Sequence, residues 1–410
     1  MIFKKIYDIK NKKFFIIRAL SAFLRFIPQL VIIKLISPKV FGEYSLFITF
    51  TVLVTSIGSI NLTTGYISKF NKKIDQSKKN KLFLIKLLLG INFFTAPILT
   101  CIGLFYKIEF LADFILPIIL YIITESTILE YQRFKYASGD YIWLTNNDLI
   151  AAISTFISII LSYILFKSPV SDLGFLFLSI KNIIILNYES NLFSKFKLES
   201  IQFNPKYLFN TYYYLIKTGI KEIIQLQFFT FVLFVEKILI KKYIGILPLS
   251  IFSISSSVMG NISSILLLPN FVRARNIIFT KKKEQIKSFI FNLFIKSSLI
   301  STFSIPINAF LISFYLIKDY SLPPLNFILL IGVGSLSSNM SSISAILSPI
   351  FALNKEKMKI VFLLSIILIT PLIVISLMDN YLTNNINFII VLLLIFTHSF
   401  FQLLCRIYNI

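Results

Sequence analysis

The sequence predicts an all-α, polytopic integral membrane protein of about twelve transmembrane helices. Three observations predict it. First, 56% of the 410 residues are hydrophobic and the mean hydropathy is +0.83, more apolar surface than a water-soluble fold can bury. Second, apolar runs recur along the whole chain, most of them close to the roughly 20 residues that cross a bilayer as a helix. Third, the cations alternate between loops. With the N-terminus on the cytoplasmic side, inside segments hold 25 Lys and Arg and outside loops hold 6, the asymmetry of the positive-inside rule.

The spans are expected near 14–36, 44–66, 82–106, 110–132, 142–166, 172–188, 210–240, 248–271, 289–315, 325–351, 360–378 and 386–408. Residues 1–13 are Lys-rich and precede an apolar run too long for a signal sequence, so the first span is read as a retained anchor. The strongest inside signals are KFNKKIDQSKKNK at 69–81 and the basic run from Arg273 to Lys287. Both termini are expected in the cytoplasm, and the outside loops are too short to hold a domain. The formal charge of +23 would suggest nucleic acid in a soluble protein. Here the loop asymmetry accounts for most of it, and no nucleic-acid partner is expected. Cys101 and Cys405 form no CxxC pair, so neither a disulfide nor a metal site is expected.

The first span, FFIIRALSAFLRFIPQL, carries Arg18 and Arg25 in an otherwise uncharged stretch. A charged side chain near the bilayer centre costs roughly 2.5–3.5 kcal/mol on insertion scales. Seven residues turn a helix through about 700°, so both guanidinium groups leave the helix within about 20° of one direction. Ser21 and Ala22 share that face, the opposite face is apolar, and Pro28 predicts a bend. Such a helix lines a cationic, water-filled cavity. The seventh span carries Lys217 and Lys221 on one face, although a lysine near a helix end also reaches the headgroups by snorkelling. Together, Arg18, Arg25, Lys217 and Lys221 would cost on the order of 10 kcal/mol facing lipid.

Acidic residues are available inside the spans: Glu125 and Glu130 in the fourth, Asp148 in the fifth, Glu222 and Glu236 in the seventh. Structural ion pairing is one role for them. Uptake of a coupling cation or proton by Glu125 or Asp148 is the other. Lys181 sits mid-span in the sixth, and Glu236–Lys237 is expected to be an interfacial pair at the outer end of the seventh. Two later spans are rich in small polar residues, SISSSVMGNISS at 253–264 and GVGSLSSNMSSISA at 332–345. These either let helices approach closely or line a wet cavity. Pro97, Pro117, Pro306 and Pro371 are further candidate bends.

A faint internal repeat divides the chain. LISPKVFGEYSLFITF at 35–50 resembles LIKKYIGILPLSIFSIS at 239–255, with Gly42 and Gly245 each following a Leu-Ile by a few residues and preceding a new span. Two lobes of six spans, 1–205 and 206–410, are expected, as in transporters with internal repeats. There is no Walker A loop, HExxH or GxSxG, so no catalytic residue and no cofactor are expected.

The cationic, Pro-containing first span, the Pro38-Lys39-x-Phe41-Gly42-x-Tyr44 turn and Glu236-Lys237-x-Leu239-Ile240 with Gly245 after it resemble the Wzx-type polysaccharide (O-antigen) flippases of the multidrug/oligosaccharidyl-lipid/polysaccharide exporter superfamily. Glu236-Lys237 departs from that family's usual acid–Arg pair. The resemblance implies a MATE-like fold of two six-helix bundles in the bacterial inner membrane. It implies movement of undecaprenyl-pyrophosphate-linked oligosaccharide, of O-antigen or capsule type, from the cytoplasmic to the periplasmic leaflet. Membrane lipid, a polysaccharide polymerase and a chain-length regulator are the other partners it suggests. Arg18, Arg25, Lys217 and Lys221 would then hold the pyrophosphate. A MATE-type drug or metabolite antiporter, a flippase for the peptidoglycan precursor and a membrane polymerase or ligase are the rival readings.

Overall fold

The computed structural model describes residues 37–58, 78–105, 110–137, 140–190, 228–266 and 328–339, with further positions at 16–27, 62–63, 108, 213, 217 and 288–310. The described residues are helical, with no strand among them. The chain forms two compact units. One combines Met1–Ser45 with Val235–Ile410, and the other is Leu46–Phe234.

Helix α1 spans Pro38–Gly58, so the second span starts several residues before the predicted 44. Local chemistry explains the shift. Ser37 Oγ accepts from the Val40 N–H at 3.4 Å, and Pro38 occupies the first turn, where its missing donor costs nothing. Helix α2 is Lys78–Phe105 and passes through Pro97 without ending. Helix α3 is Ile115–Ala137. Its Pro117 lies in the first turn, so this candidate bend is a helix start instead. Helix α4 is Tyr141–Phe166. Asp140 caps it by accepting from the Trp143 N–H at 3.2 Å, and Lys167 closes it in the left-handed conformation at φ 53°. Helix α5 is Asp172–Ser190, capped by Ser171 Oγ, which accepts from the Gly174 N–H at 3.1 Å.

Helix α6, Phe228–Leu239, runs into a π-helical turn at Ile240–Ile244 that stops at Gly245, whose φ of 115° suits glycine. Helix α7 follows at Ile246–Leu266, and α8 covers Ile328–Asn339. Pro38–Gly58, Leu82–Leu104, Ile142–Phe166 and Ile246–Ser263 are long and apolar enough to cross a membrane. The eleventh and twelfth predicted spans lie outside the described residues, as do Pro28 and Pro371.

The second unit is centred on aromatic side chains. Phe47 is fully buried and meets the edges of Phe110 at 6.0 Å and Phe175 at 5.8 Å. A second cluster joins Leu84, Leu88, Ile128, Tyr131, Phe134 and Leu186. This cluster borders a buried ionic network. Lys135, 4% exposed, lies 2.9 Å from Asp140 Oδ2 and 2.9 Å from Glu189 Oε2. Its ammonium also sits over the rings of Tyr131 and Trp143. Tyr131 Oη donates to Glu189 Oε2 at 2.8 Å. The sequence places Arg133 and Lys135 in a loop after the fourth span. Here α3 continues to Ala137, because α4 and α5 supply carboxylates that draw Lys135 into the packed interior. Glu130 is buried too: it pairs with Arg133 and accepts from the Thr63 N–H at 3.1 Å.

In the first unit, α7 and α8 approach closely at small residues. A Cβ on Gly334 would lie 2.9 Å from the Phe252 carbonyl oxygen. Ser256 Oγ donates to the Gly334 carbonyl at 3.3 Å, and Ser263 Oγ to Asn339 Oδ1 at 3.0 Å. Of the two roles open for these Ser- and Gly-rich stretches, close helix packing is the one seen here.

Candidate functional site

Among the predicted cations, Arg25 and Lys217 fall on described residues, and Arg18 and Lys221 lie outside them. Arg25 lies on the first helix, in the described run of residues 19–25, in the first unit. On that stretch and just before it, Ile16, Leu20 and Phe23 are the exposed apolar residues. They follow one another at helical spacing and form a single stripe. Arg25 is turned about 180° from Ile16, so the exposed guanidinium lies on the face away from that stripe. Ser21, on the Arg25 side, is buried and donates to the Ile17 carbonyl at 2.8 Å. The helix therefore has one face suited to acyl chains and another that carries a cation. Lys217, in the second unit, is exposed, and its ammonium sits 5.7 Å from the centroid of the Tyr213 ring, an aromatic contact one turn back on the same face.

The candidate coupling acids both lie in the second unit. Glu125 Oε2 accepts from Asn182 Nδ2 at 2.8 Å and stands 3.8 Å from Lys181 Nζ. Asn182 Nδ2 is also 3.3 Å from Thr124 Oγ1. One turn away, Asn92 Nδ2 donates to Thr127 Oγ1 at 2.9 Å. The tight junction of α1, α2 and α3 holds this level together. A Cβ on Gly58 would meet Ser126 Oγ at 3.0 Å and Asn92 Oδ1 at 3.2 Å, and Thr95 Oγ1 donates to the Gly58 carbonyl at 2.7 Å. Asp148, half-buried on α4, follows Asn147, which is buried with neither amide atom hydrogen-bonded. Ion pairing, one of the two roles open for the span acids, is thus seen at Glu125 and Glu130. Asn92, Asn147 and Asn182 are polar residues that the sequence reading passed over. Their signal was a primary amide inside an apolar run, which a search restricted to charge does not pick up.

Asn182→Ala removes the best donor to Glu125 and leaves it with Lys181 at 3.8 Å. A loss of about 1–3 kcal/mol in unfolding free energy is expected, read as a lowered unfolding midpoint of the purified protein in detergent.

In the first unit, the pair expected at the interface packs against protein. Glu236 is fully buried, and Lys237 Nζ lies 3.4 Å from both the carbonyl and the hydroxyl oxygen of Ser45. The start of α1 packs against the end of α6 here. Ser45 Oγ and Ser253 Oγ are 2.6 Å apart, Lys241 Nζ is 2.7 Å from Glu43 Oε1, and Ser250 Oγ donates to the Pro38 carbonyl. A Cβ on Gly42 would come within 2.8 Å of the Ile246 carbonyl oxygen. The two segments expected to be repeats thus touch.

Apolar helices long enough to cross a bilayer, joined by buried ionic contacts and small-residue seams, define a polytopic all-α membrane protein. The fold is MATE-like. The structure is similar to the crystal structure of a eukaryotic MATE transporter, AtDTX14, with a TM-score of 0.55 and 12% sequence identity, over 96% of this chain and 92% of that one. No protein-family model matches the sequence, and no curated protein matches it.

Proposed function

We propose that this protein is a lipid-linked oligosaccharide flippase of the multidrug/oligosaccharidyl-lipid/polysaccharide exporter superfamily. On this reading it is a transporter and not an enzyme. It moves undecaprenyl-pyrophosphate-linked repeat units from the cytoplasmic to the periplasmic leaflet of the bacterial inner membrane. Two lobes, 1–205 and 206–410, alternate access to a central cavity. The observation that carries the reading is the accessible Arg25 on a helix whose opposite face is the apolar stripe of Ile16, Leu20 and Phe23. A guanidinium offers paired donors that match phosphate oxygens, and an anionic lipid headgroup needs a cation reachable from the bilayer. Arg18, Lys217 and Lys221 complete the pyrophosphate site in this proposal, and Glu125 or Asp148 takes up the coupling ion.

The MATE-like fold supports a small-molecule antiporter equally well. The span cations weigh against cationic drugs as its cargo, because like charges repel in a low-dielectric cavity. Arg25→Ala is expected to lower flipping by on the order of 10- to 100-fold, the worth of a charge-assisted hydrogen bond. The readout is lipid-linked oligosaccharide accumulating in the cytoplasmic leaflet, with protein level checked in the membrane. Normal surface polysaccharide in that variant, or altered drug susceptibility in its place, would remove the proposal.

A further inference from the structure

We infer that Lys39, Lys241 and Lys242 form a binding site for the phosphate of an anionic phospholipid, at the headgroup level of the leaflet that the charge asymmetry assigns to the outer side. These are three of the six cations counted in the outside loops, and the fold of the first unit gathers them. The first two turns of α1 and of α7 are in contact. Ser250 Oγ donates to the Pro38 carbonyl, Ser45 Oγ and Ser253 Oγ are 2.6 Å apart, and Glu43 Oε1 takes Lys241 Nζ at 2.7 Å. Lys39 is one turn before Glu43 on the same face of α1, and Lys242 adjoins Lys241.

Positive charge is in excess here. Glu43 is 4% exposed and is met by Lys241, 32% exposed, while Lys39 and Lys242 hold exposed positions beside them. Among the described residues of this contact, three cations thus stand against one buried carboxylate. Lys39 also lies in the first turn of a 21-residue helix, where the macrodipole repels a cation. An anion beside Lys39 offsets both costs. The level is that of lipid headgroups. Pro38–Gly58 and Ile246–Ser263 are both long and apolar enough to cross a membrane, so residues at and just before their starts lie where the apolar core of a bilayer ends. The ammonium of Lys242 sits 5.3 Å from the centroid of the Tyr243 ring, and tyrosine is enriched at that depth. A phosphate met there is a lipid's, and a basic cluster at a membrane surface favours headgroups of net negative charge.

The test measures the thermal midpoint of the purified protein in a non-ionic detergent, with phosphatidylglycerol or phosphatidylcholine added. Phosphatidylglycerol is expected to raise the midpoint and phosphatidylcholine to leave it unchanged. Lys39→Gln with Lys242→Gln, both at exposed positions, should melt like the unmodified protein without lipid and lose the rise with phosphatidylglycerol. Its affinity for that lipid, read by native mass spectrometry, should fall on the order of 30-fold, from the roughly fivefold that each lysine contributes near an anionic surface. Lys167→Gln, at an exposed position closing α4, should keep both. Equal rises with the two lipids, a double variant that still responds, or an equal loss in Lys167→Gln would overturn the site. A rise with inorganic pyrophosphate and none with phosphatidylglycerol would also overturn it, in favour of a pyrophosphate headgroup. The inference does not depend on the cargo. A protein that binds phosphatidylglycerol through these lysines but moves no lipid-linked oligosaccharide keeps the site and loses the proposed function.

Discussion

Replacing Lys135 by Ala should destabilise the protein by about 3–5 kcal/mol, the usual cost of removing one partner from a buried ion pair. Lys135 is 4% exposed and its ammonium serves Asp140 and Glu189 together, each at 2.9 Å. Glu189, 8% exposed, would lose the ammonium and keep the Tyr131 hydroxyl. Asp140, 31% exposed, can turn to water and loses less. The rings of Tyr131 and Trp143 would also lose the cation between them. Three helices are affected, because Lys135 ends α3, Asp140 caps α4 and Glu189 ends α5. The measurement is the thermal or denaturant midpoint in detergent, with Lys242→Ala as an exposed control. The double variant Lys135→Ala with Glu189→Gln should recover part of the loss, since it also removes the buried carboxylate charge that Lys135 faces. A midpoint for Lys135→Ala equal to that of Lys242→Ala would show that the network holds nothing together.

The second large effect is expected at Gly42. A Cβ there meets the Ile246 carbonyl oxygen, Ile246 Cδ1 and Ser250 Oγ, each at 2.8 Å. Side-chain atoms can rotate aside, but the carbonyl cannot without moving α7. Gly42→Val adds two further methyl groups and should cost at least the roughly 1–3 kcal/mol of an overpacked core. It should also weaken the neighbouring Ser45–Ser253 and Lys241–Glu43 contacts, which depend on the same close approach. Gly90 and Gly332, whose Cβ positions meet nothing within 4 Å, are the controls. Gly90→Ala in the interior of α2 should be neutral or stabilising by about 0.5–1 kcal/mol, the usual helical gain of alanine over glycine. Equal midpoints for the Gly42 and Gly90 variants would contradict the steric account.

Much of the helical architecture was legible in the chain because each span is written locally. A helix in lipid must satisfy its own backbone hydrogen bonds, so a long apolar run is enough to predict one. The limits of the described helices follow capping chemistry that is also local, such as Ser37 before Pro38, Asp140 before Tyr141 and Ser171 before Asp172. The Arg25 face was legible too, since angular position on a helix follows from spacing alone.

Pairing was not legible, because it is made across the chain. Nothing near Glu43 announces Lys241, and nothing near Lys135 announces Glu189. The charge asymmetry counted Lys135 as a loop cation because hydropathy treats every lysine alike, although two carboxylates and two aromatic rings bury this one. The contact of Lys237 with Ser45 was hidden for a similar reason: a charged pair at the end of a run says nothing of the helix that packs on it. Asn182 carried too little charge to attract notice and yet is the closest donor to Glu125.

The sequence by itself thus determined a helical membrane protein, its span order and the side of the first helix on which a cation stands, since bilayer thickness and helical period act on neighbouring residues. Tertiary structure alone decided that Glu43 meets Lys241 and that Ser45 meets Ser253. Those outcomes depend on residues some two hundred positions apart being brought to hydrogen-bond distance, and no local property of either segment encodes its partner.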